Sequence, residues 1–245
     1  MARQLRLAPY HITSPLLPVH DRPAAIFQPL ASPSLRKAIL SRVIPDTNLL
    51  PSLLDGPTRL IVSSTSWTPD EDFSILLDAL VQYAATETAV PVLAVITGKG
   101  SQKEMYLRKI KELTGAGRLP NVRVMTAFLP FEDYAGLLAC ADLGICLHMS
   151  SSGVDLPMKV VDMFGAGLPV AAYSGYESFG ELVKEGENGR GFETAKELAG
   201  ILGRLLSDEG RRELEGLRKG AVKEGSRRWD EEWDSTVGGM LGLVS

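Results

Sequence analysis

The chain has 245 residues, 44% hydrophobic and 23% charged, with a net charge of −4. That mix suits a globular protein with a real core, one large domain or one domain with part of a second. Its slight acidity leaves no bulk basic field to attract nucleic acid, and no apolar run reaches the ~18–20 residues that span a bilayer as a helix.

Residues 1–57 hold nine of the fifteen prolines. A short helix is expected at Ser34–Val43, and the rest reads as an extended or looped connector, not a core. From Thr58 the texture changes. "RLIVSSTS" is an apolar run ending in hydroxyl residues, a buried strand entering a loop. In "DEDFSILLDALVQYAA" apolar residues recur at helical spacing behind a first turn of acids. Strands follow at "PVLAVITGKG", "NVRVMTAFL", "DLGICLH" and "PVAAYS". They are interleaved with helices at "SQKEMYLRKIKELTGAG", "PFEDYAGLLACA" and, from Pro157, "PMKVVDMFGAG". A short helix at "FGELVKEG", a turn at "ENGRGF" and a helix at "TAKELAGILGRLLSD" complete the pattern. The mixed-charge stretch "GRRELEGLRKGAVKEGSRRWDEEW" reads as a solvated helix face. Alternating strands and helices predict an α/β fold, a doubly wound parallel sheet covered on both faces.

In such a sheet, ligands bind outside the C-terminal ends of the strands. Those ends are Ser63–Trp67, Thr97–Gly100, Ala127–Phe131, His148–Gly153 and Ser174–Glu177. The richest segment is "SSSGVDLPMKVVDMFGAGLPV" at 150–170. Ser151, Ser152 and Gly153 offer hydroxyls and close backbone approach. Pro157 suits a first helical turn, and the helix start presents free N–H groups to an anion. Lys159 adds a full positive charge in the first turn, and Asp162 lies three residues on along the same face. The segment reads either as a nucleotide-diphosphate cradle, with Asp162 on a ribose diol, or as a capped core helix carrying a Lys–Asp surface pair.

The other candidates are less specific. "TGKGS" has Gly100 where a Walker loop needs Ser or Thr after its lysine and Lys103 where a dinucleotide fingerprint needs its third glycine, so Gly98, Lys99 and Gly100 form a glycine-rich strand end. Asp70-Glu71-Asp72 matches a short D-x-D metal pattern, but the acids open an amphipathic helix, and matching to the helix dipole explains them without a metal. His148 is a polar contact or a satisfied buried histidine. Cys140 and Cys146, with five residues between them, fit neither a redox nor a zinc motif. No G-x-S-x-G elbow is present.

Together "LIVSSTSWTPDEDFSILLDAL", "VITGKG", "ADLGICLHMSSSGVDLPMKVVDMFGAGLPV", "ELVKEGENGRGF" and "RRWDEEWDSTV" resemble the chitobiosyldiphosphodolichol β-mannosyltransferase family, from Leu60 to Val237, with "VHDRPAAIFQPL" extending the likeness upstream. The resemblance implies the C-terminal, donor-binding part of a GT-B glycosyltransferase: a Rossmann-like domain at 58–228, a connector at 1–57 left from the acceptor domain, and a cross-over helix at 229–245. It implies inverting transfer of mannose from GDP-mannose to dolichyl-diphosphate-chitobiose, on the cytosolic face of the endoplasmic reticulum membrane. Other mannosyltransferases of the same assembly are candidate partners. No cofactor or metal is expected, and the general base would lie in an acceptor domain absent from this chain. Donor-side residues carried over are Ser66, Gly98, Lys99, Gly100, His148, Ser151, Ser152, Gly153, Asp155, Lys159 and Asp162. Asp162 matches the second acid of the donor motif. The first would fall at Val154, so Asp155 is one position off. Without the acceptor domain, Trp229, Trp233 and Val237 are expected to leave an apolar stripe exposed. An alternative is a non-catalytic short paralogue that keeps the fold as a nucleotide-binding or interaction module.

Overall fold

A computed structural model describes residues 5–7, 9–150, 152 and 155–244; Ser151, Gly153 and Val154 of the glycine/serine loop lie outside the described residues. Strand β1 (Arg59–Ser64) is the centre of the molecule. Its residues Leu60 to Ser64 are all buried, the continuous burial of a parallel strand covered on both faces. Alternation then sorts its side chains. Leu60 and Val62 face one core, built with α1 (Pro33–Val43), α5 (Phe131–Cys140) and α6 (Met158–Gly165). Ile61 faces the other, built with α3 (Phe73–Ala84), α4 (Lys103–Gly115) and α8 (Ala195–Leu206).

The remaining strands are β2 (Val92–Thr97), β3 (Val122–Ala127), β4 (Leu143–Cys146), β5 (Val170–Tyr173) and β6 (Gly189–Phe192), with the short helix α7 (Phe179–Leu182) between the last two. Among the described residues they form one sheet in the order β3-β2-β1-β4-β5-β6, and every neighbouring pair is parallel. Ile61 sits opposite Ala94 of β2 on one side and Leu143 of β4 on the other. The chain builds outward from β1 in one direction, then returns and builds from β4 in the other. In open sheets of this kind the ligand crevice lies outside the strand ends at such a reversal, here at the C-terminal ends of β1 and β4.

Four features depart from the sequence reading. The expected turn "ENGRGF" contains β6, an edge strand paired with β5 from Val170↔Gly189 to Tyr173↔Phe192. Its two glycines and single arginine carry little strand signal. Residues 1–57 do contribute to the core: Phe27, Leu40, Ile44 and Leu53 are at most 3% exposed. Beyond α1 the segment forms a 3₁₀ turn (Thr47–Leu49) and α2 (Leu50–Leu54), where loop was expected.

The mixed-charge C-terminal stretch is more than a solvated face. It supplies α9 (Arg211–Gly225) and α10 (Trp229–Trp233), and its charges point partly inward. Arg22 donates to Glu232 through Nε at 3.0 Å and Nη2 at 2.7 Å, and to Glu224 through Nη1 at 2.8 Å. Glu232 also accepts the His20 amide at 3.1 Å and Arg227 at 3.1 Å. Burial pushes the Glu232 carboxyl up, but these donors outweigh it and hold the group below its ordinary range. The expected apolar stripe is uneven: Trp229 is exposed, whereas Trp233 and Val237 are half-buried.

Candidate functional site

The crevice is lined by the ends of β1, β2 and β4 and by the start of α6. The loop after β1 turns sharply at Trp67, a fully buried residue with a φ of 51°. Its amide donates to Thr65 Oγ1 at 3.0 Å. The sequence "PDEDF" then enters α3 with Asp72 as the N-cap, its carboxylate accepting the Ser74 amide at 2.9 Å. Asp72, not Glu71, therefore meets the helix dipole.

Glu71 turns inward instead. It is 1% exposed, and its Oε2 accepts the Thr65 hydroxyl at 2.8 Å, the Ser66 amide at 2.5 Å and the Ser66 hydroxyl at 2.9 Å. Its Oε1 accepts the ammonium of Lys159 from the first turn of α6. Burial pushes the Glu71 carboxyl up, but Lys159, Ser66 and Thr65 outweigh it and bring the group below its ordinary value. An isolated antiparallel bridge joins Glu71 to His148, and Met149 N donates to Asp70 O at 3.1 Å. The loops after β1 and β4 are thus stitched together at the point where the sheet changes direction. The three acids of the D-x-D pattern do not converge, and among the described residues no group of three His, Cys, Asp or Glu side chains is placed to hold a metal.

Ser66 belongs to this knot, with both its amide and its hydroxyl given to Glu71. Gly98 and Gly100 are explained by packing of the loop after β2 on the loop after β1. Gly98 has a φ of 122°, and a Cβ there would lie 1.8 Å from the Thr65 carbonyl oxygen; one on Gly100 would lie 1.7 Å from that of Ser66. Lys99 between them is exposed, its Nζ 3.7 Å from the centroid of Phe128.

The loop after β4 is organised by Asp155. Its Oδ2 lies 2.6 Å from His148 Nε2, and its Oδ1 accepts the hydroxyls of Ser150 and, at 2.7 Å, Ser152. Ser178 donates to the Asp155 carbonyl at 3.2 Å. The Ser150 hydroxyl, helped by Ser152 and His148 and opposed by partial burial, holds the Asp155 carboxyl far below the usual range. His148 is therefore a satisfied histidine, half-buried, with its ring edge-on to Tyr176 at 6.4 Å.

Helix α6 begins after Pro157, which is the N-cap residue and not the first helical one; no side chain caps it. The Val160 amide donates back to the Pro157 carbonyl at 3.0 Å, which leaves the amides of Met158 and Lys159 without a protein acceptor among the described residues. Lys159 pairs with Glu71, so the Lys159–Asp162 pair anticipated from spacing does not form. Asp162 is half-buried, and none of the polar contacts among the described residues engages its carboxyl. Burial alone pushes it up to about 6. Its charge reaches Tyr134, whose phenol is hydrogen-bonded to Ser64 at 2.9 Å and pushed up to about 12, chiefly by burial. Among the described residues the crevice therefore presents an ammonium, a helix start with no side-chain cap and a carboxylate without a partner. The residue that sequence reasoning missed is Glu71, hidden because acids at a helix start have a ready explanation.

A parallel sheet in this order, reversing direction between β1 and β4, defines a Rossmann-like doubly wound domain. Residues 56–208 match the family described as "Glycosyl transferases group 1". The chain belongs to that glycosyltransferase family. It is 53% identical over its whole length to chitobiosyldiphosphodolichol β-mannosyltransferase of Arthroderma benhamiae, covering 56% of that protein. It is 46% identical to the human protein of the same name, over 78% of this chain and 41% of that one. The chain thus spans about half the length of the curated relatives it matches. Among solved structures, Anabaena HepE in complex with UDP and glucose aligns with a TM-score of 0.66 at 19% identity, over 92% of this chain and 56% of that one. The C-terminal domain of the group 1 glycosyltransferase LpcC from Francisella tularensis aligns with a TM-score of 0.61 at 11% identity, over 84% of this chain and 97% of that one. These likenesses establish the GT-B fold and its C-terminal-type domain.

Proposed function

We propose that this chain is the donor-binding part of a mannosyltransferase that uses GDP-mannose and acts on dolichyl-diphosphate-chitobiose, with a β-linked product, at the cytosolic face of the endoplasmic reticulum membrane. The observation that carries the reading is the arrangement on one helix at the switch point of Lys159, the start of α6 and Asp162, the last two without a side-chain cap or a polar partner among the described residues. The amides and Lys159 suit the diphosphate, and ionised Asp162 suits the ribose diol. As the sugar–phosphate bond breaks, negative charge grows on the departing GDP, and a cationic group and helix start already in place stabilise it. Of the other donor-side candidates, Ser66, Asp155, His148 and Ser152 shape the loops around the site, Gly98 and Gly100 let those loops meet, and Lys99 lines the rim. Ser151 and Gly153 are assigned to the same donor loop from sequence alone. The names of the curated relatives support the acceptor, and the acceptor's lipid supports the membrane location. Among the described residues no helix is long and apolar enough to cross a membrane.

Calorimetric titration of the purified chain with GDP-mannose, GDP and UDP tests the donor. Binding selective for the guanine nucleotides is expected, and a preference for UDP overturns the assignment. Lys159→Ala is expected to weaken GDP roughly 10–100-fold while changing guanosine by about twofold or less, because a charge-assisted contact contributes ~1.5–3 kcal/mol. Equal losses for the two ligands would remove Lys159 from the diphosphate.

A further inference from the structure

The place of Glu71 calls for a reason beyond folding. A buried carboxylate–ammonium pair is seldom more stabilising than well-packed apolar side chains of the same size, since both charges must be desolvated. Here the two partners are desolvated unequally: the Glu71 side chain is 1% exposed and that of Lys159 is 30% exposed. The carboxylate is held from behind by Thr65 and by the Ser66 amide and hydroxyl, all on a loop that turns through the strained Trp67. Its backbone is bridged to His148. Glu71 is therefore anchored to two of the loops that line the crevice. Lys159, on a long flexible stem, rides on that anchor and stays partly exposed.

We propose that Glu71 is a positioning residue for nucleotide diphosphate binding: its buried carboxylate holds the Lys159 ammonium at the crevice mouth and locks the loop at 65–68 behind it. This deepens the donor-site reading and rests on it. An ammonium has three N–H donors. One is used on Glu71, and the others remain for phosphoryl oxygens. A lysine side chain carries about 2 kcal/mol of rotamer entropy, and a ligand that finds it already fixed does not have to immobilise it. Without a ligand the Glu71–Lys159 pair is neutral. With a diphosphate bound, the ammonium lies between two anionic groups and is shared by both.

The test compares the wild type with Glu71→Gln, Lys159→Met and the double variant, using GDP, guanosine and competitive acetylation of lysine amines read by mass spectrometry. The wild type is expected to favour GDP over guanosine. Glu71→Gln is expected to lose about tenfold of that preference with guanosine affinity unchanged, and Lys159 acetylation is expected to rise several-fold as the amine swings free. The double variant removes both charges, so it keeps the fold if Glu71→Gln alone does not. It should bind GDP no worse than Lys159→Met, because Glu71 acts through Lys159. A folded Glu71→Gln protein with an unchanged or larger GDP preference overturns the proposal, as does a double variant weaker for GDP than Lys159→Met. If the wild type binds neither ligand, the donor reading fails. The acetylation readout still decides whether Glu71 holds Lys159, since unchanged labelling in Glu71→Gln sinks that on its own.

Discussion

Asp162→Asn is expected to make the protein more stable at pH 8 and a poorer nucleotide binder. The Asp162 carboxyl is half-buried, has no partner among the described residues, and is pushed by burial from 3.8 up to about 6. A carboxyl whose folded pKa is raised binds its proton more tightly in the folded state than in the unfolded chain. Below pH 3.8 it is protonated in both states and costs nothing; as pH climbs through 3.8 toward about 6 the folded state loses stability, and the deficit persists above. The full shift corresponds to about 3 kcal/mol, and partial exposure reduces that to about 1–2 kcal/mol. Asparagine removes the charge at the same size. Thermal melts should show a gain of a few degrees at pH 8 and none at pH 4. Binding moves the other way, because the ionised carboxylate accepts from the ribose hydroxyls, contacts of ~1.5–3 kcal/mol, so GDP should weaken about 10–100-fold. The specific check is 2′-deoxy-GDP. The wild type should discriminate against it, and a variant that still discriminates equally would remove Asp162 from the ribose.

Phe27→Ala is expected to cost about 3–5 kcal/mol, the range for deleting a buried aromatic ring from a packed core. Phe27 is 1% exposed, and its ring meets those of Phe131 at 5.2 Å and Tyr134 at 6.0 Å, both edge-on. Its backbone is held as well: Arg228 donates to the carbonyls of Pro23 at 3.1 Å and Phe27 at 3.2 Å. A substitution in a detachable linker would stay within about 0.5 kcal/mol. Urea unfolding distinguishes the two, with a large drop in midpoint at constant slope expected. A loss under about 1 kcal/mol would mean the segment can leave the core without consequence.

That contact marks the boundary of what the sequence disclosed. The inner strands β1, β2, β4 and β5 are legible because a strand buried on both faces is apolar, and runs such as "RLIV" and "VLAVI" have no other short explanation; the edge strand β3 is legible from its β-branched residues, Val122, Val124 and Thr126. The helices are legible from their spacing. Strand β6 is not, since a four-residue edge strand with two glycines owes its conformation to its neighbour β5. The core role of residues 27–54 was masked by prolines, although Leu40, Val43 and Ile44 already carry helical spacing. At the site, Lys159 and Asp162 could be read from a helix start, but their partners could not. Glu71 is 88 residues from Lys159 in sequence and meets it only because β1 and β4 are neighbours in the sheet. No local pattern encodes that pairing.

The Arg22 network has a kinetic meaning as well as an energetic one. Its partners Glu224 and Glu232 lie 202 and 210 residues away, so the contact closes nearly the largest loop the chain can make. Contacts of that span are entropically costly to form early and belong to the last stage of folding. Interactions missing from the folding transition state do little for the folding rate; they act on the unfolding rate, which falls when they are strong. The clasp between residues 20–28 and the α9–α10 region therefore acts as a late-set fastener: the edge of the domain must come undone there before the sheet can open, and the lifetime of the native state depends on it.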